Sequence, residues 1–210
     1  MLSLKTQRKQ FGRKFVFAVF VLFFSSIYLL KHQLFPHPRK LGHFNGQLFL
    51  YRDNSVLGAK LSEDEKWRFP TKLEKVPSFF LESLICLEDE RFFFHQGIDP
   101  ISVLRATAQN LSSRKIVSGA STLSMQTARL LNEHEKPSWS RKLKQSLFAL
   151  YLEWLFTKNE ILEMYLNFAS FGGNIEGLKA ASYAYFQKAP LNLSRKEQLF
   201  LLSLPQSPNR

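Results

Sequence analysis

A long apolar run near the amino terminus constrains this chain more strongly than its other features. Phe15 to Leu30 contains 16 residues without a charge, and residues 1–14 carry five Lys and Arg and no acid. As a helix the run spans about 24 Å, slightly less than the bilayer core of about 30 Å, and Lys14 and Lys31 can reach outward to the interface. No small-x-small cleavage site follows the run, so we predict an uncleaved transmembrane anchor rather than a signal peptide.

The basic flank also predicts how the chain is oriented. Because Lys and Arg accumulate on the cytoplasmic side of a membrane, the remainder of the chain is expected outside the cytoplasm. The predicted organisation is a cytoplasmic tail over 1–14, an anchor over 15–30, a stalk over 31–45 and one domain over 46–210.

The charge balance predicts an anionic partner. The formal net charge is +12, and without residues 1–30 there remain 24 Lys and Arg against 17 Asp and Glu. A basic domain outside the cytoplasm fits anionic lipid or a phosphate at the membrane face, and it makes nucleic acid an unsuitable partner. A single cysteine, Cys86, excludes an internal disulfide and any cysteine-based metal site.

Local patterns predict a mainly helical domain with one small β-hairpin. The segment from Gly46 alternates loosely around a turn at Asp53-Asn54, and from Pro77 onward the apolar spacing is helical. Three helix starts carry capping residues: Asp99 before Pro100, Ser121 with Thr122, and Ser194 with Glu197.

Two apolar stripes at helical spacing are predicted to be core faces rather than binding sites. The stripes are Ile101, Leu104, Ala108 and Leu111, and then Leu143, Leu147, Leu150, Trp154 and Leu155. Contact with lipid is the alternative for Trp139 and for the run Phe92–Phe94.

Three consecutive acids, Glu88 to Glu90, stand out in a basic chain. On a continuous helix, Glu88 and His95 would share a face because they are seven residues apart. A carboxylate packed against the neighbouring phenylalanines loses part of its hydration. This desolvation raises the pKa of the carboxyl group toward the range of a general base. The spacing alone fits both a solvated helix end and a catalytic carboxylate.

Four ordered motifs together resemble the family 51 glycosyltransferases, the peptidoglycan polymerases of bacterial cell walls. The first is Glu88, Asp89, Phe92, His95 and Gly97; the second is Gly119, Ser121, Thr122 and Gln126; the third is Arg141, Lys142 and Gln145; the fourth runs from Lys158 to Asn167. The resemblance covers roughly residues 45–210, and within the family it is strongest to the penicillin-binding proteins of the 1C type.

The resemblance implies a fold and a reaction. The expected fold is a lysozyme-like helical domain with a membrane-dipping jaw; leucines between Arg105 and Leu131 could form that jaw or pack in the core. The expected enzyme lies at the bacterial inner membrane with its domain in the periplasm. It polymerises lipid II into glycan strands by inverting transfer, with undecaprenyl pyrophosphate as the leaving group.

The resemblance also assigns roles to individual residues. Glu88 is the expected general base, and Asp89, Phe92, His95 and Gln145 support it. The expected ligands of the substrate and its pyrophosphate are Ser121, Thr122, Gln126, Arg129, Arg141, Lys142, Lys158 and Asn167. Mg²⁺ or another divalent cation at the pyrophosphate is expected from the resemblance only, since the sequence shows no metal-ligand spacing.

Two departures from the family pattern leave a second function open. Gln145 stands where most members have glutamate, and Gln206 and the end at Arg210 suggest a domain truncated at its carboxyl terminus. The alternative is an inactive or truncated relative that binds lipid II or cell-wall partners without turnover. A muramidase-like hydrolase is a weaker alternative. The chain has no S-x-x-K together with K-T-G and hence no penicillin-binding machinery, and whether a separate transpeptidase is a partner stays open.

Overall fold

The structure, a computed structural model, describes residues 46–53, 55–113, 115, 119–132 and 139–205, with the backbone alone at 139 and 140. The predicted tail, anchor and stalk, Asn54, the side chain of Trp139 and the segment after residue 205 lie outside the described residues. In the described part we found no helix that combines the length and the apolar character needed to cross a bilayer.

Helices dominate the described ranges, as predicted. They are α1 (Ser78–Glu88), α2 (Pro100–Ser113), α3 (Leu123–Leu131), α4 (Trp139–Leu155), α5 (Lys158–Phe168), α6 (Leu178–Phe186) and α7 (Arg195–Ser203). Short 3₁₀ turns occupy Leu73–Lys75, Phe92–Phe94 and Pro190–Asn192.

The strands form two small sheets. The predicted hairpin is confirmed: β1 (Gln47–Leu50) pairs antiparallel with β2 (Val56–Lys60), and the Ser55 hydroxyl donates to Asp53 Oδ1 at 2.6 Å in the connecting turn. Two further strands, β3 (Trp67–Arg68) and β4 (Ile175–Glu176), pair in parallel. The buried Arg68 guanidinium donates to Glu176 Oε2 across this pair, so an ion pair joins two distant parts of the chain.

Helix α3 lies at the centre of the core because it packs against both α4 and α5. Seven of its nine residues are buried. The Thr122 hydroxyl oxygen accepts the backbone N–H of Met125 at 3.1 Å, which caps the start of α3 where sequence predicted a helix start. The capping box predicted for Ser194 and Glu197 is likewise present at the start of α7.

The prediction that both apolar stripes are core faces is wrong. On α2, Leu104 is 70% and Leu111 79% exposed, Ile101 and Ala108 are also exposed, and the buried residue is Ala106. On α4, the whole predicted stripe is exposed: Leu143, Leu147, Leu150, Trp154 and Leu155.

Helix α4 buries a different face. Phe148, Ala149 and Leu152 take the core positions. The loop at Gly97 approaches α4 so closely that a Cβ on Gly97 would lie 2.9 Å from the carbonyl carbon of Ala149. The backbone of α4 thus lies so close to this loop that a side chain at position 97 has no room.

Candidate active site

The segment after α1 holds the predicted general base at the end of a helix. Helix α1 ends at Glu88, and Asp89 then adopts φ −162°, so Glu88 and His95 do not share the face of one helix. The Asp89 side chain, directly after the helix, is buried. Glu88 is half-buried at this turn.

Asp89 and His95, both predicted to support Glu88, form a hydrogen-bonded brace. His95 Nε2 lies 3.0 Å from both carboxylate oxygens of Asp89, and both side chains are buried. The backbone N–H of Leu123 donates to Asp89 Oδ2 at 2.9 Å. Asp89 therefore ties the Glu88 turn to the start of α3, and a buried carboxylate with these partners is well satisfied.

The hydroxyl of Thr122 makes its hydrogen bonds within the protein. Besides capping α3, its hydroxyl donates to the carbonyl oxygen of Gly97 at 2.5 Å, and the residue is 2% exposed. Gly97 has φ +87°, a conformation that favours glycine. Thr122 thus joins this loop to α3, whereas its neighbour Ser121 is exposed beside Glu88 and able to meet a ligand.

Helix α3 brings a second pair of predicted residues to Glu88. The Gln126 Nε2 group donates to Glu88 Oε2 at 2.8 Å, which orients the carboxylate. Arg129 follows one turn later on α3 and is exposed.

Tyr165 of α5 lies close to both charges. Burial raises the pKa of Tyr165, the negative charge of Glu88 raises it further, and the positive charge of Arg129 opposes the rise. The Tyr165 phenol therefore interacts electrostatically with both Glu88 and Arg129.

The remaining predicted cations lie on α4 and α5. Arg141 and Gln145 are half-buried on α4, four residues apart as predicted, and Lys142 beside them is exposed. Helix α4 packs against α3, which carries Gln126 and Arg129. Lys158 begins α5 and is paired: its ammonium lies 2.7 Å from Glu153 Oε1 and 4.4 Å from the centroid of the Phe92 ring.

The sequence of this chain matches a known protein family. The family model described as "Transglycosylase" matches residues 53–210. The chain belongs to the transglycosylase family. Its relatives include penicillin-binding protein 1C of Escherichia coli, which is 46% identical over 159 residues, covering 76% of this chain and 20% of that protein.

Other relatives of this chain come from Pseudomonas and Bacillus. Penicillin-binding protein 1A of Pseudomonas aeruginosa is 34% identical over 90% of the chain and 23% of its own length. Penicillin-binding protein 4 of Bacillus subtilis is 34% identical over 76% of the chain and 26% of its own length. The chain therefore spans between a fifth and about a quarter of the length of these three relatives.

Asn167 of the transglycosylase is not part of the group around Glu88. Its Oδ1 accepts the backbone N–H of Thr71 at 2.8 Å, and its Nδ2 donates to the carbonyl oxygens of Thr71 and Glu163. These three bonds occupy the acceptor and both donor hydrogens of the amide. Asn167 thus fastens the segment around Thr71 to α5.

Sequence reasoning missed Glu153 and Tyr165. Glu153 is the partner of Lys158 and also accepts from the buried hydroxyl of Ser124 on α3, so it joins three elements. The sequence held only a weak indication of Glu153, a lone acid five residues before the lysine of the fourth motif. Tyr165 was within that motif, but nothing in its spacing distinguishes a site residue from a core aromatic.

Proposed function

We propose that this transglycosylase polymerises lipid II into glycan strands during cell-wall synthesis. The acceptor's sugar 4-hydroxyl oxygen attacks C1 of the donor and forms the new glycosidic bond. The bond from C1 to the pyrophosphate oxygen breaks, and undecaprenyl pyrophosphate leaves with the electron pair. The proton of the attacking hydroxyl passes to Glu88.

One observation carries the proposal: Gln126 holds the Glu88 carboxylate while Arg129 lies one turn away on the same helix. A general base needs a fixed carboxylate within reach of the proton, and the Asp89–His95 brace fixes the backbone beneath it. A departing pyrophosphate gains negative charge, which guanidinium and ammonium groups stabilise. Arg129, Arg141 and Lys142 are the cations we assign to that role.

Lys158 fits a different role from the predicted one. Its ammonium forms an ion pair with Glu153 and a cation–π contact with the ring of Phe92. The Phe92 side chain is fully buried. We assign Lys158 to holding the Phe92 turn in place behind Glu88.

The described residues do not offer a metal cage of their own. No group of three or more His, Cys, Asp and Glu side chains in the described part is arranged to hold an ion. Gln145 brings an amide where the family pattern has a carboxylate, and Glu153 is engaged by Lys158 and Ser124. We therefore derive no step through a metal, and Mg²⁺ stays a prediction from the resemblance.

The finer architecture belongs to the same proposal. We assign a lysozyme-like fold to 46–210, a single-pass anchor to 15–30, and a position on the outer face of the bacterial inner membrane. The apolar run with its basic flank supports the anchor. The exposed leucines of α2 support the membrane-dipping jaw for Leu111, whereas Leu123, Leu130 and Leu131 of α3 are buried in the core.

The test is strand formation from labelled lipid II by the purified full chain in detergent or vesicles. Glu88→Gln should lower the rate by about 10²–10⁴-fold, because the amide cannot accept the proton. Glu82→Gln, an exposed change on the same helix, is the matched control and should leave the rate unchanged. Equal activity in the Glu88→Gln variant would contradict the proposal.

Binding of lipid II without turnover is the second candidate, and Gln145 is the observation that favours it. If the wild-type chain binds labelled lipid II but forms no strands, while Gln145→Glu forms them, the second function is correct. Turnover by the wild type eliminates it.

A further inference from the structure

A polar cavity of about 180 Å³ opens beside Glu88 on the side that faces α2. Its walls are residues 86–91, one face of α2 and residues 119–122. Gln126, Arg129 and Tyr165 are not among its lining residues. Glu88 thus borders the cavity, while its hydrogen-bond partner Gln126 on α3 lies outside the cavity lining.

Three of the six charged side chains that line this cavity are already engaged by partners. Arg91 forms an ion pair with Asp99 at 2.6 Å, and Asp89 is held by His95 and the N–H of Leu123. Arg105 differs from them. Its Nη2 donates to the Ser102 hydroxyl at 3.1 Å, and no acid of the described ranges lies within salt-bridge distance of it.

The Ser102 hydroxyl brings two guanidinium groups to one wall. It accepts from Arg91 at 3.2 Å and from Arg105 at 3.1 Å. The remaining N–H groups of the exposed Arg105 donate neither to an acid nor to Ser102. A guanidinium with such donors available can bind a carboxylate or a phosphate with two parallel hydrogen bonds.

The geometry of an inverting transfer decides which substrate occupies the cavity. Attack and departure take place on opposite faces of C1, and the base lies on the side of the attacking hydroxyl. Since the leaving pyrophosphate is assigned to Arg129 and Arg141, the acceptor belongs on the other side of Glu88. That side is the cavity with Arg105.

We infer that Arg105 binds an anionic group of the acceptor and so places its sugar hydroxyl at Glu88. The inference rests on the proposed function. The shared chemistry is a phosphate or carboxylate, and lipid II offers both: its pyrophosphate and the carboxylates of its peptide. Glu88 and the exposed Glu90 line the same cavity, so their negative charges weaken anion binding there.

The kinetic test uses Arg105→Gln in the full chain. KM for lipid II should rise at least about tenfold while kcat changes less than about twofold, because an anchoring group acts mainly on binding. Arg105→Lys should recover part of the loss, and Glu90→Gln should lower KM. Arg52→Gln, an exposed arginine of the hairpin, is the matched control and should behave as the wild type.

Binding measurements separate the two anion sources and do not depend on turnover. The wild type, Arg105→Gln and Arg52→Gln are titrated with inorganic pyrophosphate and with the disaccharide–peptide part of lipid II that lacks pyrophosphate. The probe whose affinity falls only in Arg105→Gln identifies the group that Arg105 binds. If neither probe loses affinity, the inference is overturned, even if Glu88→Gln has already confirmed the general base.

Discussion

Helices α2 and α5 carry similar patterns and occupy opposite environments. Both begin with capped amino termini and both have apolar residues at helical spacing. In α5 the apolar residues Ile161, Leu162 and Leu166 are buried, whereas in α2 Leu104 and Leu111 face outward.

The charges of these two helices differ in the same way. Lys158 at the start of α5 is largely buried and is paired with Glu153. Arg105 on α2 is exposed and contacts only a hydroxyl among the residues described. A matched charge inside the fold supports the structure, and an unmatched one at a cavity is available to a ligand.

The largest expected effect on stability comes from the buried helix of this comparison, α5. Leu166 is 1% exposed, so Leu166→Ala should reduce the free energy of unfolding by about 2–5 kcal/mol. Leu111→Ala on α2 should change it by less than about 0.5 kcal/mol. Urea titration followed by circular dichroism measures both, and equal losses would remove the distinction between the helices.

The second effect concerns the charge at the start of α5. Glu153→Gln leaves the Lys158 ammonium without its carboxylate, and breaking a buried pair costs about 3 kcal/mol. Ser102→Ala removes the corresponding contact of Arg105 and should cost far less, because Arg105 is exposed. A stable Glu153→Gln variant with unchanged midpoint would show that the pair carries no structural role.

The third effect is a pH dependence at the start of α2. Burial alone raises the pKa of Asp99, but hydrogen bonds from Arg91 and Ser102 outweigh it and lower the pKa from 3.8 to about 2. A lowered pKa stabilises the fold above the unfolded value, and this contribution is lost as the pH falls from about 4 toward 2. At neutral pH, Asp99→Asn should cost about 1.5 kcal/mol, the low end for a charged hydrogen bond.

The measurement for Asp99 is the unfolding midpoint as a function of pH. The wild type should lose stability across that window, and Asp99→Asn should lose less because asparagine does not titrate. Parallel curves for the two proteins would mean that the Arg91 contact does not form in solution. Glu82→Gln is the control for a carboxylate that is exposed.

The smallest effect on stability is expected on the exposed stripe of α2. The double change Leu104→Ser and Leu111→Ser should alter the free energy of unfolding by less than about 1 kcal/mol. It should nevertheless weaken sedimentation of the 46–210 domain with anionic vesicles, since apolar area and basic charge both favour a lipid surface. Undiminished vesicle binding would exclude α2 from the membrane-facing side.

Much of the local structure could be predicted because its causes are local. The hairpin turn at Asp53 and the caps at Asp99, Thr122 and Ser194 depend on side chains that bond to backbone groups within three residues. The motifs that define the family are also contiguous or closely spaced. The sequence therefore predicted the helical class and the family correctly.

The site could be predicted only in part because its contacts are distant in the chain. Gln126 reaches Glu88 across 38 positions, and Ser124 reaches Glu153 across 29. Thr122 and Asn167 were predicted as ligands, but the fold uses their hydrogen bonds for its own loops.

What this sequence determined alone was where helices start, which family the chain belongs to and which acid is the candidate base. Only the tertiary structure decided which apolar face of a helix is buried and which cation forms an ion pair with an acid. The physical reason is that capping energy depends on a few neighbouring atoms, whereas burial depends on the element that packs against a face. On α4 the structure buries Phe148, Ala149 and Leu152 and leaves the leucine stripe exposed, and no pattern within α4 contains that information.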